Sequence, residues 1–370
     1  MNDSNAVTLG VGGHDYGGWK AVSISAGLER QAREFTLGIT WQWPGGGPVP
    51  VRIQQGEEVE VRIGQDLLLT GYVFGSPIRY DSESITLSIT GRSRTADLVD
   101  CAAINTPGQW RNQSVQKIVA AIAGEYKIPV INDATVTQNI EDHTIEPGET
   151  AFESIDRLLT ISRLFSTDDG QGRLVIASPG SAGRATDTLE LGKNILSGNA
   201  NLDFSNVFSE YVSKGQRSGT DDSFGAEATE VEARIVDERV RRRRVKVIKQ
   251  SGQTTDAIAR GRVEWERANA VGKALTVEYV LQGWRQSSGE LWRHNMIARL
   301  IDPLIGLDRD VLISEISYEL SESGGTTAKI SVAPPEAFLP EPNDAYEKRK
   351  LKKGKKTDNF EYLIPADYTP

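Results

Sequence analysis

The side chains that could carry chemistry are few and scattered. The 370-residue chain holds one cysteine, Cys101, and three histidines, His14, His143 and His294. No two histidines stand at the short spacings that bring imidazoles to one metal ion, so no metal site is expected. Cys101 has no second thiol for a disulfide or a zinc site, and it reads as a small buried apolar residue. No serine sits in the Gly-x-Ser-x-Gly turn of a nucleophile elbow. Glycoside hydrolysis needs two carboxylates placed on either side of a bond. Two acidic pairs qualify by spacing: Glu153 with Asp156, at i and i+3 of a helical pattern, and Asp168 with Asp169 before Gly170. A solvated helix face and a turn are the plainer readings of these acids. Glycines 10, 12, 13, 17 and 18 would cradle a phosphate only if a strand and then a helix framed them. That framing is missing, so a turn between strands fits better. No catalytic residue and no cofactor emerge.

Two stretches could make contacts instead. Arg241, Arg242, Arg243 and Arg244 form a basic run flanked by Val240 and by Val245, Val247 and Ile248. A single-stranded nucleic-acid groove interleaves aromatics with its cations, and none stand here. The run lies on or beside a strand and suits pairing with the acids upstream, Glu227, Glu230 and Glu232, or with a neighbouring subunit. The second stretch is the C-terminal tail, basic from Lys348 to Lys356 and then carrying Phe360 and Tyr362 beside Leu363 and Ile364. Such a tail reads as solvated chain, or as an arm whose Phe360 and Tyr362 dock on a neighbour.

The elements that would position these residues are mostly strands. Apolar residues make up 38% of the chain and charged ones 25%, with 36 glycines, which is a globular composition rich in turns. No apolar run reaches the roughly 18 residues of a membrane span, and the N-terminus shows no signal-peptide pattern. Phe35, Leu37, Ile39, Trp41 and Trp43 alternate with Glu34, Thr36, Gly38, Thr40 and Gln42, until Pro44 to Pro48 break the strand. Val59, Val61 and Ile63 repeat the pattern, as do Ile85, Leu87 and Ile89, with a hairpin turn at Gly64-Gln65-Asp66.

After Gly91–Cys101 the pattern changes. Asn112 can cap a helix whose Val115, Ile118, Val119 and Ile122 form one apolar stripe, stopped by Pro129. A second helix starts near Thr150, with Phe152, Ile155, Leu158 and Leu159 inward, and Arg173 to Ile176 is a strand. Alternation returns near Leu189. Thr255 can cap a helix carrying Ile258, Gly261, Trp265 and Ala268. Strands follow at Leu275 to Leu281, Val311 to Ile313 and Ala328 to Val332, with Gly289-Glu290-Leu291-Trp292 as a turn between them.

The expected fold is therefore mainly β with α+β: two antiparallel β-barrel-like domains separated by a small α+β domain. The divisions are 1–101, 102–190, 191–335 with one helix, and a tail at 336–370. A barrel would remove exposed sheet edges.

Several motifs, in order, carry a likeness. They are Gly17-Gly18-Trp19-Lys20 leading into Val22-Ser23-Ile24-Ser25, then Phe35 to Trp43, Glu57 to Gly64, and Thr70-Gly71-Tyr72-Val73. Gly91-Arg92-Ser93-Arg94-Thr95-Ala96-Asp97-Leu98-Val99-Asp100-Cys101 follows, then Ile145 to Phe152, then Gly289 to Trp292. In this order the chain resembles the phage tail baseplate hub proteins of Mu-like phages and, more distantly, the late control protein D family of contractile tails. The likeness covers residues 15–335; the segment 227–249 and the basic tail fall outside its motifs.

The resemblance implies a structural, non-enzymatic hub. It implies a homotrimer whose ring joins the sixfold tail tube to the threefold central spike and contacts other baseplate proteins. DNA would pass through its channel without sequence-specific binding. The hub would sit in the virion tail baseplate, be assembled in the host bacterial cytoplasm, and not insert in a membrane. A net charge of −9 suits a conduit to which DNA does not stick. Two other readings stay open: a peptidoglycan-degrading enzyme using Glu153 or Asp156, and a glycan-binding module in 102–190.

Overall fold

The computed structural model describes residues 4–42, 53–80, 84–134, 139–216, 230–253 and 255–339. The chain divides into two compact units, one of residues 1–208 and 265–341 and one that includes residues 209–264.

In the larger unit the first stretch is all strand: β1 (Val7–Val11), β2 (His14–Tyr16), β3 (Ala21–Gly27), β4 (Glu34–Gln42), β5 (Glu58–Ile63), β6 (Asp66–Gly75), β7 (Ile78–Tyr80) and β8 (Ser84–Ser93). Gly12 and Gly13, both at positive φ, make the β1–β2 hairpin turn, so the glycine cluster is a turn as expected. β5 buries Val59, Val61 and Ile63 and exposes Glu58 and Glu60, the alternation read from sequence. The side chains of Ile39 and Trp41 and residues 43–52 lie outside what is described.

Next come α1 (Ala96–Asp100), β9 (Gln109–Ser114), α2 (Val115–Gly124), β10 (Val130–Asn132), β11 (Asn139–Thr144), α3 (Ala151–Ile161), β12 (Phe165–Asp168) and β13 (Leu174–Ala177). α2 buries Val115, Ile118, Val119 and Ile122 against Ile155, Leu158 and Leu159 of α3 in a separate apolar core. The cap of α2 differs from expectation. Ser114, not Asn112, accepts from Lys117 N, and Asn112 sits at φ 50° in β9. The helix also stops at Gly124, five residues before Pro129, with Lys127 at φ 57° turning the chain. α3 begins where predicted. Thr150 and Glu153 form a reciprocal capping box, each accepting the other's backbone N–H.

The third stretch holds β14 (Leu189–Glu190), β15 (Ile195–Ala200), β16 (Glu210–Gln216), β17 (Glu230–Val236), β18 (Val245–Gln253), α4 (Asp256–Ala274), β19 (Val277–Gln282), β20 (Ile297–Asp302), β21 (Leu307–Ser321) and β22 (Gly325–Ala333). Thr255 caps α4 through Ile258 N, as expected. β16, β17 and β18 form their own three-stranded sheet in the second unit. Its β16 lies antiparallel to β17 and parallel to β18.

The mainly β fold with a small α+β part is as expected, and it differs in one detail. The β domains of the larger unit are not two closed barrels. Their strands run in one 14-stranded sheet, ordered β15-β19-β22-β21-β3-β4-β8-β6-β5-β1-β2, with β7, β14 and β20 on branches, and this path does not close. The reason is the 15-residue length of β21. Its second half pairs with β22 on one side and, over Glu315–Leu320, with β3 on the other. The edge strand of one β domain thus satisfies the edge of the other, which removes the need for closure. A single apolar core lies under both, from Leu9, Ile24 and Phe35 to Tyr318, Trp284 and Trp292. The Trp284 indole N–H reaches the carbonyls of Glu319 and Thr327, so the buried ring leaves no donor unpaired.

Candidate functional site

The corner Gly91–Cys101 is where the sheet hands over to the helical core. Gly91 pairs with Phe35 across β8 and β4. A Cβ there would stand 2.3 Å from Tyr72 O and 2.4 Å from the Phe35 ring, so only glycine fits. Arg92 reaches Asp100 Oδ2 at 2.7 Å and Glu34 at 3.8 Å, and its guanidinium lies 5.6 Å from the Phe74 ring centroid. Arg94 pairs with Glu58. Both arginines therefore act as polar clamps across the corner. Leu98 then inserts fully buried into the α2–α3 core. Cys101 ends α1 half-buried, with burial first and then Asp97 and Asp100 raising its thiol pKa, so the reactive thiolate is disfavoured.

Beneath the corner lies a dense, buried polar cluster. Asp168, at the end of β12, is buried. Its Oδ1 accepts from Arg33 Nε at 3.0 Å, and its Oδ2 accepts from Arg33 N at 3.1 Å and from Ser93 Oγ at 2.5 Å. Its backbone carbonyl accepts from Arg33 Nη2 at 3.0 Å, and Arg33 Nη1 donates to Leu68 O at 2.9 Å. The Thr95 hydroxyl donates to Gln31 O at 3.1 Å and lies 2.8 Å from Ser93 Oγ. Ser166 Oγ donates to Gln31 Oε1 at 2.6 Å, and Thr167 Oγ1 lies 3.0 Å from His294 Nε2.

This node ties together the β4 approach, the corner, β12 and the loop before β20. Burial pushes the Asp168 carboxyl pKa up, and the Arg33 guanidinium and Ser93 hydroxyl only partly offset it. Burial, with Arg33 and Arg293 nearby, pushes His294 down to about 3, so its imidazole is neutral at pH 7. The adjoining turn docks as closely: Thr70 Oγ1 donates to Gly170 O at 2.9 Å, and a Cβ on Gly170 would come within 2.2 Å of Leu67 O. Asp168 is thus corrected from a turn acid to a buried ion-pair partner. Asp169 does serve the turn, accepting from Gln171 N and Arg173 N.

The other candidates fall elsewhere. Glu153 is committed to the α3 cap, while burial raises the pKa of Asp156. His14 is exposed, and His143 is buried with Nε2 at 3.0 Å from Ser154 Oγ. Arg241, Arg242 and Arg243 are exposed in the loop before β18. None pairs with the upstream acids described: Glu232 pairs with Lys214, and Arg239 pairs with Asp237. Arg244 is half-buried, and its carbonyl accepts from Glu210 N and Ser209 Oγ. Phe360 and Tyr362 lie outside the described residues. Arg33 and His294 were missed as node members, because nothing near either in sequence marks it.

Family models match three consecutive stretches. Residues 6–93 match the N-terminal domain of Mu phage baseplate assembly protein GpP-like proteins, and residues 95–178 the second domain of baseplate hub protein gp44-like proteins. Residues 255–341 match the fourth domain of Mu phage baseplate assembly protein GpP. The chain is 29% identical to baseplate hub protein gp44 of Escherichia phage Mu, over 99% of this chain and 96% of that one. It is similar in structure to the 43 kDa tail protein of prophage MuSo2 from Shewanella oneidensis, at a TM-score of 0.80 and 31% identity over 90% of this chain and 99% of that one. A tail protein from Neisseria meningitidis MC58 shares the fold, at a TM-score of 0.75 and 22% identity over 91% and 98% of the two chains.

Proposed function

Because this chain belongs to the baseplate hub family of Mu-like phage tails, we propose that it forms a homotrimeric ring joining the sixfold tail tube to the threefold central spike. The observation that carries this reading is the β21–β3 seam. One chain presents two β domains joined edge to edge, so three chains would supply six around one axis. Cyclic closure needs a heterologous contact repeated three times. The division into 1–101, 102–190, 191–335 and a tail at 336–370 is proposed as the modular plan of that subunit, and the matches at 6–93 and 95–178 support its first two parts.

The ring would contact the spike, the tube and other baseplate proteins, and it would let the genome pass. The net charge of −9 supports passage without adhesion. Assembly in the host cytoplasm precedes incorporation in the virion tail. No helix of the described residues is long and apolar enough to cross a membrane. Arg241, Arg242 and Arg243, with their charges turned to solvent, are proposed subunit or partner contacts. Arg244 and the tail residues Phe360 and Tyr362 belong to the same proposal. The hub is read as non-enzymatic, since Glu153 is spent on a helix cap.

Electron-microscopy class averages test the reading, with a threefold ring and an axial channel expected. A mass measurement showing only monomer at assembly-like concentrations would overturn it. Release of fragments from purified cell wall would overturn the non-enzymatic part.

A further inference from the structure

Sheet edges in soluble proteins are normally blunted by lysines, prolines or other charges, because an open edge recruits another strand. β15 breaks that pattern. It ends the path of the 14-stranded sheet, β19 is its one described strand partner, and an isolated bridge to Leu191 occupies only its first residue, Ile195. Its six residues, Ile195 to Ala200, include no charge and no proline. A bulge between Ile195 and Ser197 turns Leu196 outward, leaving it 56% exposed, and Leu202 just beyond is 43% exposed.

The first β domain carries a counterpart. β7 pairs with β8 alone among the described strands, and all three of its residues are exposed. Ile78 is 44% exposed and Tyr80 78%, on one face of the strand by their spacing, and Phe74 nearby is 45% exposed. Neither Ile78 nor Tyr80 packs into the core below. The molecule therefore shows two different apolar edges, one in each β domain.

A contact that closes a cyclic ring requires two different surfaces on each copy. The chain also contains a template for such a contact. At the β21–β3 seam, a strand of the second β domain pairs antiparallel with a strand of the first over six residues, Glu315–Leu320 with Val22–Gly27. A ring of six β domains needs the same kind of join between chains that this seam makes within one.

We propose that the β15 edge of one copy pairs with the β7 edge of the next, with Leu196 and Leu202 packing on Ile78, Tyr80 and Phe74. The proposal rests on the trimeric reading above. Backbone pairing would supply the register, and the apolar side chains would supply the affinity.

Crosslinking in the full chain tests it, in a Cys101→Ser background. With a short bismaleimide, the double variant Leu196→Cys/Tyr80→Cys should give covalent trimers. Leu196→Cys or Tyr80→Cys alone should give no crosslink, and their mixture should give dimers. Charge substitutions give a second readout. Leu196→Asp or Tyr80→Asp alone should weaken the trimer at least tenfold, and both positions are exposed enough to leave the fold intact. Mixed together, the two variants should form a one-to-one dimer through the single intact contact.

A wild-type trimer that survives Leu196→Asp, or a double-cysteine variant that does not crosslink, overturns the proposal and leaves the trimeric reading standing. Leu196→Cys crosslinked to itself overturns it in favour of a twofold contact. A wild-type protein that is monomeric throughout overturns both.

Discussion

Where β3 meets β21, two β domains are joined by backbone pairing over an apolar layer. Ala26, Ile24 and Val22 stand opposite Ile316, Tyr318 and Leu320, and all but the half-buried Leu320 are buried. Where the α+β region meets the first β domain, the join is made of charge. Arg33, Asp168, Ser93 and Thr95 hydrogen-bond one another, with Asp168, Ser93 and Thr95 buried. The two seams solve one problem, holding separate elements in a fixed relation, with opposite materials. An apolar layer stabilises in proportion to area and tolerates exchange of one aliphatic for another. A buried ion pair returns little net stability but punishes any arrangement that leaves a charge unpaired. The polar seam thus fixes orientation, and the apolar seam supplies most of the free energy.

The sharpest way to break this contrast is to remove one charge. Asp168→Ala strands a guanidinium only 14% exposed and should cost about 3–5 kcal/mol in urea unfolding. A loss below about 1 kcal/mol would mean that water enters the node and that the polar seam is not dry. Replacing both partners, Arg33→Met with Asp168→Leu, should cost less than Asp168→Ala alone, because no buried charge is orphaned. The apolar seam should answer differently. Ile316→Ala should cost about 2–4 kcal/mol and Ile316→Val only about 1 kcal/mol, a graded response that tracks the volume removed.

Acid gives the next largest effect, and it acts on the polar seam. His294 holds its proton far less readily when folded, at about 3 against an ordinary value near 6.5. The unfolded chain therefore binds more protons than the native one between those values. The stabilising share is complete above pH 6.5 and is lost as pH falls toward 3. From pH 7 to pH 5 the loss should be about 2 kcal/mol relative to His294→Gln, measured as the difference between the two unfolding curves. Parallel curves would show that the imidazole reaches solvent.

Much of the local strand and helix pattern was legible in sequence, and neither seam was. Val59, Val61 and Ile63 announce a half-buried strand because the side-chain period is local, and Thr150 with Glu153 announces a helix start for the same reason. Asp168-Asp169-Gly170 also follows a local rule, but only Asp169 and Gly170 obey it. What buries Asp168 is Arg33, 135 residues earlier, in a segment with no periodicity of its own. The same limit hid the open path of the sheet. Val22 and Ile24 of β3 entered only within a motif and β21 was read only at Val311 to Ile313, because their pairing joins residues nearly 300 positions apart and depends on β21 outrunning its hairpin. β15 was missed because its apolar Ile195 and Leu196 are adjacent and are followed by Ser197, Gly198 and Asn199, so no alternation marks it as a strand.

The smallest effect tests whether charge or burial gives the polar seam its strength. Arg92 and Asp100 make the same kind of pair at the same corner, at 2.7 Å, which is shorter than the 3.0 Å between Arg33 and Asp168. The difference is exposure: 26% and 45% for the first pair, 14% and 2% for the second. Water screens the outer pair and solvates whichever partner is left behind, so Arg92→Gln should cost only about 0.5 kcal/mol. Loss of the contact with the Phe74 ring would add about 0.5 kcal/mol at most. If Arg92→Gln proved as costly as Asp168→Ala, geometry rather than desolvation would govern both pairs. The node under the corner would then be one clamp among several. If the two differ by the expected severalfold, the dry carboxylate of Asp168 is what holds the α+β region in place. The arginines of Gly91–Cys101 would then only trim a corner already set beneath them.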